Sequence, residues 1–164
     1  MKIMVFTEGT ITIHKTAINL SRNEQILHAR NKIVIPGYFF DFIPIGGAVK
    51  KLTKWKNQGA EILYLTSRKK PDEVEDVKKG LQRDDFPDGQ LLFRQEEEEY
   101  KDVAERVIPD VLIEDDYESH GGIEFATITH VKPEIKTKIK SIMIKEFTGI
   151  DHLPDEISAL LQTK

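Results

Sequence analysis

The sequence predicts a three-layer α/β fold, in which a parallel sheet lies between two layers of helices. Short apolar runs recur along the chain at Ile3 to Phe6, Ile62 to Leu65, Leu91 to Phe93, Val111 to Ile113 and Ile142 to Ile144. Most are aliphatic or aromatic throughout and do not alternate with polar positions, which is the pattern of strands covered on both faces. Amphipathic segments of helix length stand between them, and strands joined through helices run parallel with right-handed crossovers.

Composition bounds the rest. At 164 residues the chain is long enough for one ordinary domain, so residues 1–164 are read as a single unit. Hydrophobic residues at 39% and charged residues at 32% describe a globular chain, too apolar for disorder and too charged for a membrane protein. No apolar run approaches the roughly 20 residues of a membrane helix. The opening stretch Met1 to Phe6 meets Glu8 too early to be the core of a signal peptide, so a cytoplasmic location is expected. With no cysteine, disulfides, thiolate zinc sites and cysteine nucleophiles are excluded together. A net charge of -4 gives no electrostatic support to nucleic-acid binding.

Each helix has its own signals. Ala48, Val49, Leu52 and Trp55 recur at helical spacing, and Gly59 stands where a helix ends in a left-handed residue. Pro71 opens a second helix, with Asp72 and Glu73 complementing its dipole and Val74, Val77 and Leu81 as the buried stripe. Tyr100, Val103, Ala104 and Val107 mark a third, stopped by Pro109, and Asp155 to Leu161 a last one after Pro154. Glu96 to Glu99 reads as a solvated acidic lead into the third helix. Residues 13 to 43 fit the alternation less well and are read as a small flap or insertion. Asn19 to Asn31 suits a short helix with Ser21 as N-cap and Glu24 three residues on, as in a capping box. Ile33 to Phe42 is apolar and aromatic but broken by Pro36 and Gly37; its Tyr38, Phe39, Phe40 and Phe42 would form a contact surface for a second copy of the chain if exposed.

In an open parallel sheet, ligands bind beyond the carboxyl ends of the strands. That rule picks out Thr7, Glu8, Gly9 and Thr10 after the first run, Thr66, Ser67 and Arg68 after the second, Arg94 after the third, and Glu114, Asp115 and Asp116 after the fourth. Three consecutive carboxylates at a strand end repel unless they meet a cation, and hard oxygen donors suit Mg²⁺. Thr66 and Ser67 offer hydroxyl and backbone N–H donors to an anion, and Arg68 and Lys101 offer positive charge to a phosphoryl group. Acid, hydroxyl and lysine together describe a site for a cation-bound phosphate on a small molecule. The histidines His14, His28, His120, His130 and His152 have no paired helical spacing, so a zinc site is not expected; His120 is the one near the acids.

These residues, in this order, resemble the haloacid dehalogenase (HAD) superfamily, mostly Mg²⁺-dependent phosphohydrolases. The family's fourth motif, an apolar strand ending in paired acids, is matched by Val111-Leu112-Ile113-Glu114-Asp115-Asp116, and its second by Ile62-Leu63-Tyr64-Leu65-Thr66-Ser67-Arg68. Lys101 stands where the family's lysine precedes the fourth strand, and Gly149 to Pro154 has a similar closing character. The resemblance spans nearly the whole chain except residues 13 to 43, and implies a Rossmann-like sheet with little or no cap. It implies Mg²⁺ held by Asp115, Asp116, Glu114 and Glu8, phosphate held by Thr66, Ser67, Arg68, Gly9 and Thr10, and catalytic roles for Glu8, Thr7 and Lys101.

The first motif departs from the family. Its pattern is a strand followed by Asp-x-Asp-Gly-Thr, with the first Asp as nucleophile and the second as acid/base; here the chain reads Phe6-Thr7-Glu8-Gly9-Thr10. Aligning Gly-Thr puts Phe6 at the nucleophile and Glu8 at the acid/base, whereas aligning the strand end puts Thr7 at the nucleophile. Neither leaves an aspartate to form an acyl phosphate. Three readings stay open: direct attack by water activated at Glu8, binding of a phosphorylated ligand without turnover, or a fold kept for a regulatory partner. A response-regulator receiver is set aside, because its phosphoacceptor aspartate belongs in mid-chain and the acids here come late.

Overall fold

In the computed structural model, which describes residues 1–163, the chain opens with β1 (Lys2–Phe6) and the short β2 (Thr12–His14), followed by α1 (Arg22–Arg30), a 3-10 turn at Tyr38–Asp41 and β3 (Phe42–Pro44). Next come α2 (Ala48–Asn57), β4 (Glu61–Leu65), α3 (Pro71–Arg83), β5 (Gln90–Leu92), α4 (Tyr100–Val107) and β6 (Val111–Asp115). After two 3-10 turns at Glu118–His120 and Ile123–Phe125, the one-turn helices α5 (Thr127–His130) and α6 (Pro133–Lys136) lead to β7 (Lys140–Ile144), and α7 (Ile157–Leu160) follows. No helix among the described residues is long and apolar enough to cross a membrane.

Five strands form one parallel sheet in the order β5-β4-β1-β6-β7. Strand alternation sends neighbouring side chains to opposite faces, and both faces are covered. Ile3 and Val5 of β1 pack with Leu52, Trp55 and Ile113 on one side. Met4 and Phe6 pack with Leu63, Val103 and Leu112 on the other. This double coverage is why the runs read as uninterrupted apolar stretches. It also puts β1 at the centre, so its carboxyl end opens between those of β4 and β6.

The chain signals act as the sequence predicts. Gly59 sits at φ +95 just beyond α2, and Pro71 is the first residue of α3. Ser21 caps α1 and exchanges both bonds of the capping box with Glu24, at 3.3 and 2.8 Å. Several element bounds differ from expectation. β5 begins one residue earlier, β6 continues through Glu114 and Asp115, β7 begins two residues earlier at Lys140, and the last helix shrinks to one turn after Pro154 and Asp155, which bond to Lys51, Trp55 and Gln58.

The flap is more built than the sequence shows. β2 and β3 pair antiparallel, with His14 opposite Phe42; strands of three residues are too short to display a period. Tyr38 stacks on His14 at 4.4 Å between ring centres and Phe39 on Phe42 at 5.6 Å. Tyr38 and Phe39 are therefore buried and Phe42 is half-buried, whereas Phe40 is exposed together with the aliphatic Ile33, Val34 and Ile35.

Trp55 is fully buried and donates its indole N–H to the Pro154 carbonyl at 3.0 Å, joining α2 to the end of the chain. Replacing it with alanine should cost about 3–5 kcal/mol in urea unfolding, and Trp55→Phe, which keeps most of the ring, should cost less. His14 supplies a pH test of the flap. Burial first, then the nearby His28, lowers its pKa below the ordinary 6.5, so the folded flap favours neutral imidazole. The contribution is fully present above pH 6.5 and is lost as pH falls below it, where the unfolded chain takes the proton first. A proton NMR titration should show a His14 midpoint below 6.5.

Candidate functional site

The carboxyl end of β1 turns sharply. The Thr7 carbonyl accepts from Ile11 N at 2.9 Å and Thr12 N at 3.0 Å, and Gly9 adopts φ +84. A side chain at Gly9 would bring its Cβ to 2.9 Å from Asp115 Oδ2 and 3.3 Å from Glu146 Cγ. Glycine is therefore required twice, by its conformation and by the approach of two carboxylates.

That approach builds an acidic cluster. One oxygen each from Asp115, Asp116 and Glu146 lies within 4.8 Å of the others. Asp115 ends β6, and its carboxylate accepts from Thr10 Oγ1 at 2.8 Å and Tyr117 N at 2.9 Å. Glu146 follows β7, is 4% exposed, and accepts from Ser119 N at 2.7 Å and Ser119 Oγ at 2.6 Å. Its own N–H donates to Asp116 Oδ1 at 3.0 Å. Burial, with the charge of Glu146 beside it, pushes the Asp115 carboxyl up to about 7. Like charges gathered out of water raise a carboxyl in this way, and Arg22, 3.8 Å from Asp116, is the cation beside them. Three hard oxygen donors of this kind fit Mg²⁺.

Glu114, expected in the metal group, is not brought to it. Alternation along β6 turns it to the opposite face, where it is fully buried and accepts from Thr127 N at 2.8 Å, Ile128 N at 3.1 Å and Tyr117 Oη at 3.1 Å. It secures the start of α5. Glu8 also stands apart from the cluster: its carboxylate accepts from Thr66 Oγ1 at 2.5 Å, Ser67 N at 3.1 Å and Thr7 Oγ1 at 2.5 Å. Thr66 Oγ1 in turn accepts from Arg68 N at 3.1 Å, and Arg68 lays its guanidinium over Phe39 at 4.3 Å.

A cavity of about 490 Å³ extends from these strand ends to the underside of the flap. Glu8, Gly9, Ser67, Arg68, Lys101 and Asp115 line it, as does Phe6. Thr7 does not reach it and is fully buried. Phe6 thus occupies the side-chain position that faces the cavity from the end of β1, with its ring edge-on to Tyr100 at 5.0 Å and Tyr117 at 6.0 Å. Lys101 sits at the start of α4, partly exposed and paired with Glu99 at 3.0 Å. His120 lines the cavity wall and bonds to Ser119 Oγ at 2.8 Å. Flap residues complete the enclosure: Lys32 contributes to the lining, and Arg22 bonds to Glu118 and the Glu146 carbonyl and lies 3.8 Å from Asp116.

Sequence reasoning missed Glu146 and Lys32. The strand-end rule that selects Thr7, Thr66 and Asp115 selects Glu146 as well when it is applied to the fifth run. Lys32 had no such signal, because only the folding of the flap brings it over the sheet.

The solved structure of a class C acid phosphatase from Bacillus anthracis with tungstate bound is similar to this chain. The TM-score is 0.56 at 14% identity, over 90% of this chain and 68% of that one. The fold is HAD-like. The structure of a D,D-heptose 1,7-bisphosphate phosphatase from Burkholderia thailandensis gives a TM-score of 0.48 at 8% identity, over 90% of this chain and 93% of that one. No protein-family model and no curated protein matches the sequence. In the HAD-like frame, the parallel sheet places the Gly9 turn, Thr66 and Asp115 at adjacent strand ends.

Removing the Glu114 carboxylate leaves three buried donors without their acceptor. Glu114→Ala should therefore destabilise the protein by at least about 1–3 kcal/mol in urea unfolding, and Glu114→Gln, which keeps an accepting oxygen, should recover part of the loss.

Proposed function

We propose that this HAD-like protein binds a phosphorylated small molecule together with Mg²⁺, without passing the phosphoryl group to one of its own side chains. The observation that carries this reading is Phe6. It faces the cavity from the end of the central strand, where the family resemblance expects the aspartate nucleophile, and a phenyl ring cannot attack phosphorus. Thr7 offers no substitute, since it is fully buried and its hydroxyl donates to Glu8.

The charge-bearing parts of a phosphate site remain. Asp115, Asp116 and Glu146 are the residues that would hold Mg²⁺, which when bound supplies neutralising charge to a phosphate. Arg68 and Lys101 line the same cavity, and its aromatic walls suit the organic part of such a ligand. The similarity to an acid phosphatase supports the phosphate class, not a particular compound.

A second reading, slow hydrolysis with water as the nucleophile, is favoured by the same acidic cluster. The two readings part in one experiment. Phosphate release from a panel of phosphomonoesters should stay at the buffer rate with and without Mg²⁺, while Mg²⁺ raises the melting temperature of the wild type and not of Asp115→Asn. Metal-dependent turnover that Asp115→Asn abolishes would overturn the binding reading in favour of hydrolysis.

A further inference from the structure

The donors best placed to receive a ligand's anion are already filled by the protein itself. Thr66 Oγ1 accepts from Arg68 N, which leaves its single hydrogen directed at Glu8 Oε1, 2.5 Å away. Ser67 N donates to Glu8 Oε2 at 3.1 Å. A hydroxyl and a backbone amide converging on the two oxygens of one carboxylate make a fork that any oxyanion of similar span would fit. Thr7 Oγ1 steadies the same carboxylate from behind and has a second acceptor, the Leu65 carbonyl at 3.4 Å, so it is not stranded when Glu8 leaves.

Around this fork lies cationic capacity that Glu8 does not use up. Lys32 reaches into the cavity from the flap and, among the described residues, has no carboxylate within ion-pair distance. Arg94 lines the same cavity, donates from Nη2 to the Ser67 carbonyl at 3.2 Å and lies over the Tyr100 ring at 4.1 Å. Its Nε is buried with no acceptor. A buried donor without a partner is costly unless something else supplies the acceptor.

We propose that Thr66 Oγ1 and Ser67 N form an oxyanion site whose resident occupant is the Glu8 carboxylate, and that a phosphate group enters it only by displacing Glu8, with Lys32 and Arg94 taking up the ligand's charge. This inference rests on the reading of the cavity as a phosphate-binding site. The internal occupant competes at every ligand concentration, so the apparent affinity for phosphate falls by the fraction of molecules in which Glu8 has moved away. An organic phosphate, which also gains contact with the aromatic walls, can make up that loss where inorganic phosphate cannot.

Inorganic phosphate is therefore the discriminating probe, titrated calorimetrically into folded wild type, Glu8→Ala and Glu8→Ala/Thr66→Val. Glu8→Ala should bind at least about tenfold more tightly than wild type, and adding Thr66→Val should remove the gain. Equal binding to wild type and Glu8→Ala would overturn the displacement while leaving the cavity a phosphate site. No binding to either folded protein would overturn both. If Glu8→Ala does not fold, Glu8→Gln serves instead: its amide turns an N–H towards one of the two donors, breaks the fork, and should shift affinity in the same direction, with an unchanged affinity overturning the inference.

Discussion

The turn at Gly9 is the constraint on which the site depends. At φ +84 and without a Cβ, Gly9 lets the backbone pass against Asp115 and Glu146, and its carbonyl accepts from Phe147 N at 2.7 Å. The carboxyl ends of β1, β6 and β7 are thereby tied together although they come from opposite ends of the sequence. The same turn directs Thr10 onto Asp115 and sends Glu8 the other way, to Thr66 and Ser67 just beyond β4. A larger residue would separate the acidic cluster from the oxyanion fork at once, because both are hung on the two sides of one tight loop.

The flap closes what the sheet opens. Its ribbon, β2 and β3, leads directly from the Gly9 turn, so its position follows from the same backbone geometry. Its helix, α1, is held to the acidic side through Arg22 and Arg30, which bond to the segment Glu118–Ser119 and to the Glu146 carbonyl. Its aromatic turn packs Phe39 under Arg68 on the opposite side. Clamped at both ends, the flap carries Lys32 over the cavity between them. Lys32 has its pKa lowered, chiefly by burial and then by Arg68, as befits a cation held near another cation in a partly dry space.

The sheet was legible because its physical cause acts locally. A strand covered on both faces must be apolar at every position, and five such runs can be read without knowing the fold. The helix ends were legible for the same reason: Ser21 with Glu24, Pro71 and Gly59 each act within a turn of their own position. Contacts between distant segments left no such trace. β2 and β3 are too short to show alternation, α5 depends on Glu114 from β6, and Glu146 becomes a site residue only because β7 lies beside β6. Glu114, Asp115 and Asp116 show the limit most sharply. As a string they are one acidic cluster, but the two-residue period of the strand places Glu114 on one face and Asp115 on the other, where only one of them meets the cavity. The choice between Phe6 and Thr7 was open for the same reason, and the pleat of β1 decides which side chain faces the cavity.

Phe6 and the charged groups around the cavity call for different physical explanations. Phe6 is at home among Tyr100 and Tyr117, and its burial stabilises the fold with no ligand present. The acidic cluster gains nothing comparable. Burial and the charge of Glu146 push the Asp115 pKa up, so a cation bound at the cluster would favour the ionised carboxylate. On the acidic side, Arg22 is the one cation among the described residues that the structure brings close, 3.8 Å from Asp116, against three carboxylates. Lys32 and Arg94 line the same cavity and, among the described residues, neither forms an ion pair with a carboxylate. A cation bound at the cluster and an anionic ligand bound beside Lys32 and Arg94 would each favour the other's binding. Glu8 fits this arrangement as an anion of the protein's own, lodged in the fork until a stronger one replaces it.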